Sequence, residues 1–476
     1  MHTILDAARR GAWLSCVAGA FALRATFAQA PVTVRPLPFT RVQLANGLVA
    51  LFNEDHSSPI VGVGVWYHVG AKDEQAGHTG LAHLCEHMLF EGSPNVAPGQ
   101  FEQIIRAGGG TSYRWAETSE DRTFYYETVP SNMLETTLWL ESDRMAAPFT
   151  GTDSARLDVV RGAIKNERQT YIDNRTFGTA DNITLSTLYG GEHPYRTPLG
   201  PMDDLNRATF AEMKKFCAPF YVPNNAIVAL SGDFETAKAK AMVEKYFGPI
   251  ARGAPVSHPV MRPTPLSADR RIVLEDPRAR VARLRIAWSG AGFANPDKLA
   301  LNALAAVLQG DRSSGLVKAL VYDRQLATFV YAAHIDVENG GVFQIEATPR
   351  GNTSLGEIED VIDSVVRTVR DTRPSERALE RFKNAYAVTA VTSLQGRLFR
   401  VDTLAQGEGW AHDPVAYAKQ VNQAARLTPA DVQRAAQKYL GPGRVVMSMV
   451  PAGKPELVSK PERKSEKYSS VVPEKR

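Results

Sequence analysis

Along the first part of the chain apolar residues alternate with polar ones, a period of two that reads as strands at 39–44, 48–52 and 60–69. Asn46-Gly47 sits between the first two, where a tight hairpin turn needs residues that accept a positive φ. From 77 to 90 the period changes: Leu81, Leu84, Met88 and Leu89 recur three and four apart, the stripe of a helix. A short helix at 100–106 stops at Ala107-Gly108-Gly109-Gly110. Strands at 113–118 and 122–128 follow, then helices at 132–146, 153–172, 177–188 and 207–218, a strand at 226–230 and a helix at 235–246. Pro249, Pro255, Pro259, Pro263 and Pro265 mark 249–266 as a linker. Beyond it strands are expected at 271–274, 282–288, 327–335 and 341–347, with helices at 298–308, 355–371, 375–394 and 428–439.

The second run of elements echoes the first, which points to a divergent duplication. The expected fold class is α+β: two homologous α/β domains, each a mainly antiparallel sheet packed with helices, at 34–248 and 267–453. A chain of 476 residues is too long for one ordinary core, which agrees. The Lys-, Glu-, Pro- and Ser-rich end, 454–476, is expected to be a disordered tail.

The first residues have a different character. Arg9 and Arg10 precede an apolar run at 11–23, and Ala25-Thr26-Phe27-Ala28-Gln29-Ala30-Pro31 follows. This is the pattern of a secretory signal peptide, 1–28, cut after Ala28, and it implies a secreted or periplasmic protein. No later apolar run is long enough to span a membrane. Loss of Arg9, Arg10 and Arg24 with Asp6 takes the net charge from +4 to +2, which gives no reason to expect a nucleic-acid partner. The exported chain keeps only Cys85 and Cys217, too few for a disulfide framework.

Chemistry concentrates in the 77–90 helix, within Gly80-Leu81-Ala82-His83-Leu84-Cys85-Glu86-His87-Met88-Leu89-Phe90. Residues four apart on a helix lie one above the other, so His83 and His87 share a face, and Glu86 points the same way. Two neutral imidazoles suit zinc, and Glu86 would stand beside a water in the open position of a catalytic site. This is the His-x-x-Glu-His motif of the inverzincins. An apolar core helix gains nothing from two imidazoles and a carboxylate on one stripe, because buried polar groups cost free energy unless paired. Cys85 lies roughly 200° around the helix from His83 and reads as a packing residue. A third ligand is needed; spacing alone leaves Glu167, Glu117, Glu120, Glu141 and Asp143 open, with Glu167 on the 153–172 helix the best placed.

Further stretches carry a resemblance: the motif with its continuation Glu91-Gly92, Thr118-Ser119-Glu120-Asp121-Arg122-Thr123, Glu141-Ser142-Asp143-Arg144-Met145, His193-Pro194-Tyr195 and Tyr221-Val222-Pro223-Asn224-Asn225. From about Val34 to Pro451 the chain resembles the pitrilysin/insulinase-type zinc peptidases, most of all the two-domain bacterial branch that is similar to mitochondrial processing peptidase. The resemblance implies a Zn2+ cofactor held by His83, His87 and Glu167, the last within Lys165-Asn166-Glu167-Arg168-Gln169, with Glu86 as general base. It implies a zinc-dependent endopeptidase that hydrolyses unstructured peptides; the alternative is a non-catalytic scaffold or assembly subunit of the same fold. It also implies that substrate adds as a strand along 113–118, contacting Trp115, Ala116 and Thr118. Here Trp115-Ala116-Glu117-Thr118 lacks the family's usual Asn. Relatives carry an Arg and a Tyr seven residues apart that grip the substrate; alignment puts Val321 and Thr328 there. Arg324 and Tyr331 have the spacing but sit three residues out of register, and an odd shift on a strand turns a side chain to the other face. A sister subunit supplying the pair in a heterodimer, or a second copy in a homodimer, is the expected partner.

Overall fold

The computed structural model describes residues 33–111, 116–190, 195, 197–259 and 266–469. The leader, Trp115, His193, Pro194 and 260–265 of the linker lie outside the described residues. The first sheet has six strands: β1 (Thr40–Gln43), β2 (Val49–Glu54), β3 (Ile60–Tyr67), β4 (Ala116–Thr118), β5 (Thr123–Pro130) and β6 (Ala226–Gly232), in the order β1-β2-β6-β3-β5-β4. The second is built from β7 (Arg270–Asp276), β8 (Arg283–Gly290), β9 (Ala327–Asp336), β10 (Gly341–Pro349), β11 (Val445–Pro451) and β12 (Glu466–Ser469), in the order β12-β7-β11-β8-β10-β9. The fold is α+β.

The two sheets repeat one topology. β2 pairs with β6 in parallel and β7 with β11 in parallel. From β6 to β4, and from β11 to β9, each neighbouring pair is antiparallel. The two sheets differ at the far edge, where β1 joins antiparallel and β12 parallel. β12 corrects the expectation for 454–476 over its described part, 454–469: Lys467, Tyr468 and neighbours pair with 272–275 of β7, and Ser459, Lys460 and Glu359 tie the segment before it to the second half. The charged, Pro-rich composition hid an exposed edge strand held by backbone pairing to a distant part of the chain.

Each sheet is covered on one face by helices of its own half and on the other by a helix from the opposite half. In β3, Val61, Val63 and Val65 point into the first core, while Gly62, Gly64 and Trp66 face away. The helix Arg397–Ala411 lies on that second face, with Val401, Leu404 and Ala405 against Leu51, Trp66, Phe124 and Ala229. Small residues permit the approach: a Cβ on Gly64 would meet Val401 at 2.6 Å, and one on Gly409 would meet the Trp66 ring at 2.5 Å. In return the helix Ala180–Tyr189 of the first half sets Ala180, Ile183 and Leu188 against Ile272, Leu274, Met447 and Met449 of the second sheet. One sheet follows the other along the chain, but the covering helices cross that division.

Cys85 and Cys217 are joined in a disulfide, which overturns the expectation that Cys85 merely packs. It ties the motif helix Leu81–Met88 to the helix Phe210–Cys217 across 132 residues, a separation that no sequence spacing advertises. Among the described residues no helix is long and apolar enough to cross a membrane.

Two substitutions test this arrangement by denaturant unfolding. Gly409→Leu, which drives a side chain into a buried, rigid indole, is expected to lower stability by about 1–3 kcal/mol. Cys217→Ser releases a long closed loop in the unfolded chain and is expected to lower it by about 2–4 kcal/mol.

Candidate metal centre

The motif helix begins at Gly80, whose φ of 90° suits a residue without a Cβ. Its first amides are satisfied by one side chain: Glu74 accepts from Gly80 N at 2.9 Å and Ala82 N at 2.8 Å. A carboxylate there also faces the positive end of the helix dipole. Leu84, Cys85 and Met88 anchor the opposite face in the core, so His83, Glu86 and His87 are turned toward a cleft. The helix Ser154–Arg168 packs alongside through Leu157, Val160 and Ile164 and delivers Glu167 to the same cleft. Directly after Glu167 the helix widens into a π-turn, Gln169–Asp173, a distortion that often accompanies functional residues.

Three donor atoms converge. His83 Nε2 and His87 Nε2 are 3.1 Å apart, and Glu167 Oε2 lies 3.5 Å from the first and 3.6 Å from the second. Among the described residues, these are the His, Cys, Asp and Glu side chains with one ligand atom each inside a 4.8 Å set. The other candidates for third ligand do not join this cluster: Glu141 pairs with Arg144, Asp143 accepts from Ser93 and Asn95, Glu117 lines the cleft outside the set, and Glu120 also lies outside it.

Burial tunes the protonation states. It lowers the pKa of His83 to about 3, with the His87 charge adding to the effect, so this imidazole stays neutral and free to ligate. Burial also works against protonation of His87, but the bond to Glu167 and the Glu86 charge outweigh it and raise the value. Glu86, 6% exposed, is pushed up to about 7 by burial, against the opposing pull of His87 and Thr118. Its Oε2 accepts from Thr118 Oγ1 at 2.5 Å. Donor types, distances and a neutral imidazole fit a tetrahedral divalent ion with one position left open.

The cleft holds about 590 Å³ and is bounded by Phe90, Glu102, Ala116, Glu117, Thr118, Tyr171 and Arg175. Ala116 and Thr118, both expected at the substrate strand, lie on its wall, and β4 is the last strand of its sheet. Sequence reasoning missed the tie of the Thr118 hydroxyl to Glu86 and the capping role of Glu74. An acidic residue just ahead of the Gly80 helix start was the available signal for Glu74.

The description insulinase (peptidase family M16) matches residues 49–187, and peptidase M16 inactive domain matches residues 207–386. The chain belongs to the M16 peptidase family. It is 26% identical over 358 residues to zinc protease PqqE of Helicobacter pylori, over 74% of this chain and 80% of that one. The crystal structure of a protease from Helicobacter pylori matches with a TM-score of 0.80 at 24% identity, covering 88% of this chain and 100% of that one. The periplasmic protease PqqL from Escherichia coli matches with a TM-score of 0.74 at 17% identity, over 93% of this chain and 52% of its own. At these identities the two structures establish the shared fold.

Equilibrium dialysis against zinc checks the ligand set. The chain is expected to take up one ion, and Glu167→Ala to weaken it by more than the ~10–100-fold typical of changes around a ligand. Glu117→Gln, in the same cleft, is expected to leave uptake unchanged.

Proposed function

We propose that this chain is a zinc-dependent endopeptidase that hydrolyses unstructured peptides. The observation that carries the reading is the convergence of His83, His87 and Glu167 within 4.8 Å beside a buried Glu86. A zinc ion held by these three would polarise the scissile carbonyl and lower the pKa of a water. Glu86 then takes a proton from that water and returns it to the leaving amine. Burial strengthens its hold on a proton, which suits a group that must take one from water. Thr118 holds the carboxylate in place by its hydroxyl. The outer edge of β4 offers backbone groups to an extended peptide, which aligns Ala116 and Thr118 with the substrate and favours flexible chains over folded ones.

The scaffold alternative gains support from the match to an inactive domain. That match covers 207–386, clear of His83, Glu86, His87 and Glu167, so it says nothing against the cluster itself. Export to the periplasm is read from the leader at 1–28 and fits the likeness to a periplasmic protease. The chain corresponds to about half of PqqL, which favours a working unit of two such chains, a sister subunit or a second copy supplying the Arg-Tyr pair that Val321 and Thr328 do not.

A flexible peptide of ~20 residues, long enough to lie along a sheet edge, is the test substrate. Chelator-sensitive cleavage is expected from the zinc-loaded chain or from the chain with its partner. Glu86→Gln is expected to keep zinc and lose about 10²–10⁴-fold in turnover. Absence of cleavage with every paired chain would favour the scaffold.

A further inference from the structure

The second half carries no metal cluster among its described residues, yet it reaches into the first half directly behind the cleft. The turn between β9 and β10 closes with Val337 N donating to Gly340 O, and it presents Glu338 to the first half. Glu338 Oε2 stands 2.9 Å from Lys72 Nζ and 2.9 Å from His68 Nε2. The Lys72 side chain is fully buried, and Asp121 and Asp73 flank it at 3.4 and 3.9 Å. The Glu338 amide donates to Asp121 Oδ2 at 2.8 Å, and Tyr195 Oη bridges Asp121 Oδ1 to the Asn339 amide.

These contacts fall on the two turns that frame the site. Lys72 Nζ donates to the Asp121 carbonyl, Ala71 N to Ser119 O and Lys72 N to Glu120 O. The turns lie so close that a Cβ on Gly70 would meet the Ser119 and Glu120 carbonyls at 2.5 Å. On one side of this junction Glu74 caps the motif helix. On the other, Thr118 bonds Glu86 and approaches Thr123, which donates to the Val69 carbonyl. Burial pushes the Glu338 carboxyl up, but the His68 bond and the Lys72 charge outweigh it and leave it charged, at about 2. A buried ammonium left without its nearest carboxylate is strongly unfavourable, so this pair fixes where Lys72 sits.

We propose that Glu338 is a positioning residue for the site of the first half: through Lys72 and Asp121 it sets the 119–122 turn, and with it Thr118 and the Glu86 carboxylate. The inference rests on the peptidase reading for its kinetic consequence. It departs from the inactive-domain description, because a half without ligands then still governs the chemistry. The zinc ligands themselves lie on helices outside the two turns, so the expected change falls on the Glu86 carboxylate rather than on metal uptake.

The test compares Glu338→Gln with Glu359→Gln, which removes a still more deeply buried carboxylate, the partner of Arg271 and Arg444, within the second half. Glu338→Gln is expected to lower kcat about 10–100-fold with zinc uptake unchanged and to speed amide exchange at 116–123, while Glu359→Gln does neither. Lys72→Met with Glu338→Gln, which leaves no unpaired ammonium, keeps the test open if the single variant fails to fold; the same faster exchange is expected. Unchanged exchange at 116–123 in a folded variant, or an equal loss of kcat in Glu359→Gln, would overturn the proposal. The exchange measurement needs no turnover, so a chain that cleaves nothing would sink the peptidase reading and still decide whether Glu338 sets the turn.

Discussion

Desolvation governs the site. Two imidazoles and two carboxylates occupy a cleft in which His83 and Glu86 have almost no exposure to water. Such groups are costly to bury unless they meet partners or a cation. The architecture answers by fixing each one from behind. Glu74 and the core face of Leu84 and Met88 set the motif helix, the 85–217 disulfide ties it to a neighbour, and the helix bearing Glu167 packs alongside. The donors then converge without rearrangement, which is what a metal site with one open position requires.

The exchange of helices between halves explains why the chain is one unit. Each sheet, buried on both faces, needs a cover on its second face. The helix Arg397–Ala411 serves the first sheet and Ala180–Tyr189 the second. Gly64 and Gly409 are the sequence's concession to this contact, since a Cβ at either would collide across it, and Gly62 leaves close room for Arg397. The same constraint carries Glu338 to the junction behind β4, where charge from one half meets the turns of the other.

Much of this was legible in the residues. The periods of two and 3.6 located most strands and helices, the echo between halves matched the repeated pairing order, and the His-x-x-Glu-His spacing put His83, Glu86 and His87 on the face that meets the cleft. Glu167 needed more than spacing, because a helical Glu is ordinarily a solvated charge and only the packing of two helices brings it to His83. The helix Arg397–Ala411 has glycines and polar residues where a stripe would be sought, and its partners lie on a sheet that ends more than 160 residues earlier in the sequence. The disulfide and β12 were hidden for the same reason: each depends on a contact between distant segments.

The most direct test of the central claim is zinc K-edge X-ray absorption on the metal-loaded chain. The account predicts a first shell of nitrogen and oxygen only, at about 2.0–2.2 Å, with imidazole scattering from two rings. A sulfur shell at about 2.3 Å, or a shell without two imidazoles, would contradict the assignment of His83, His87 and Glu167.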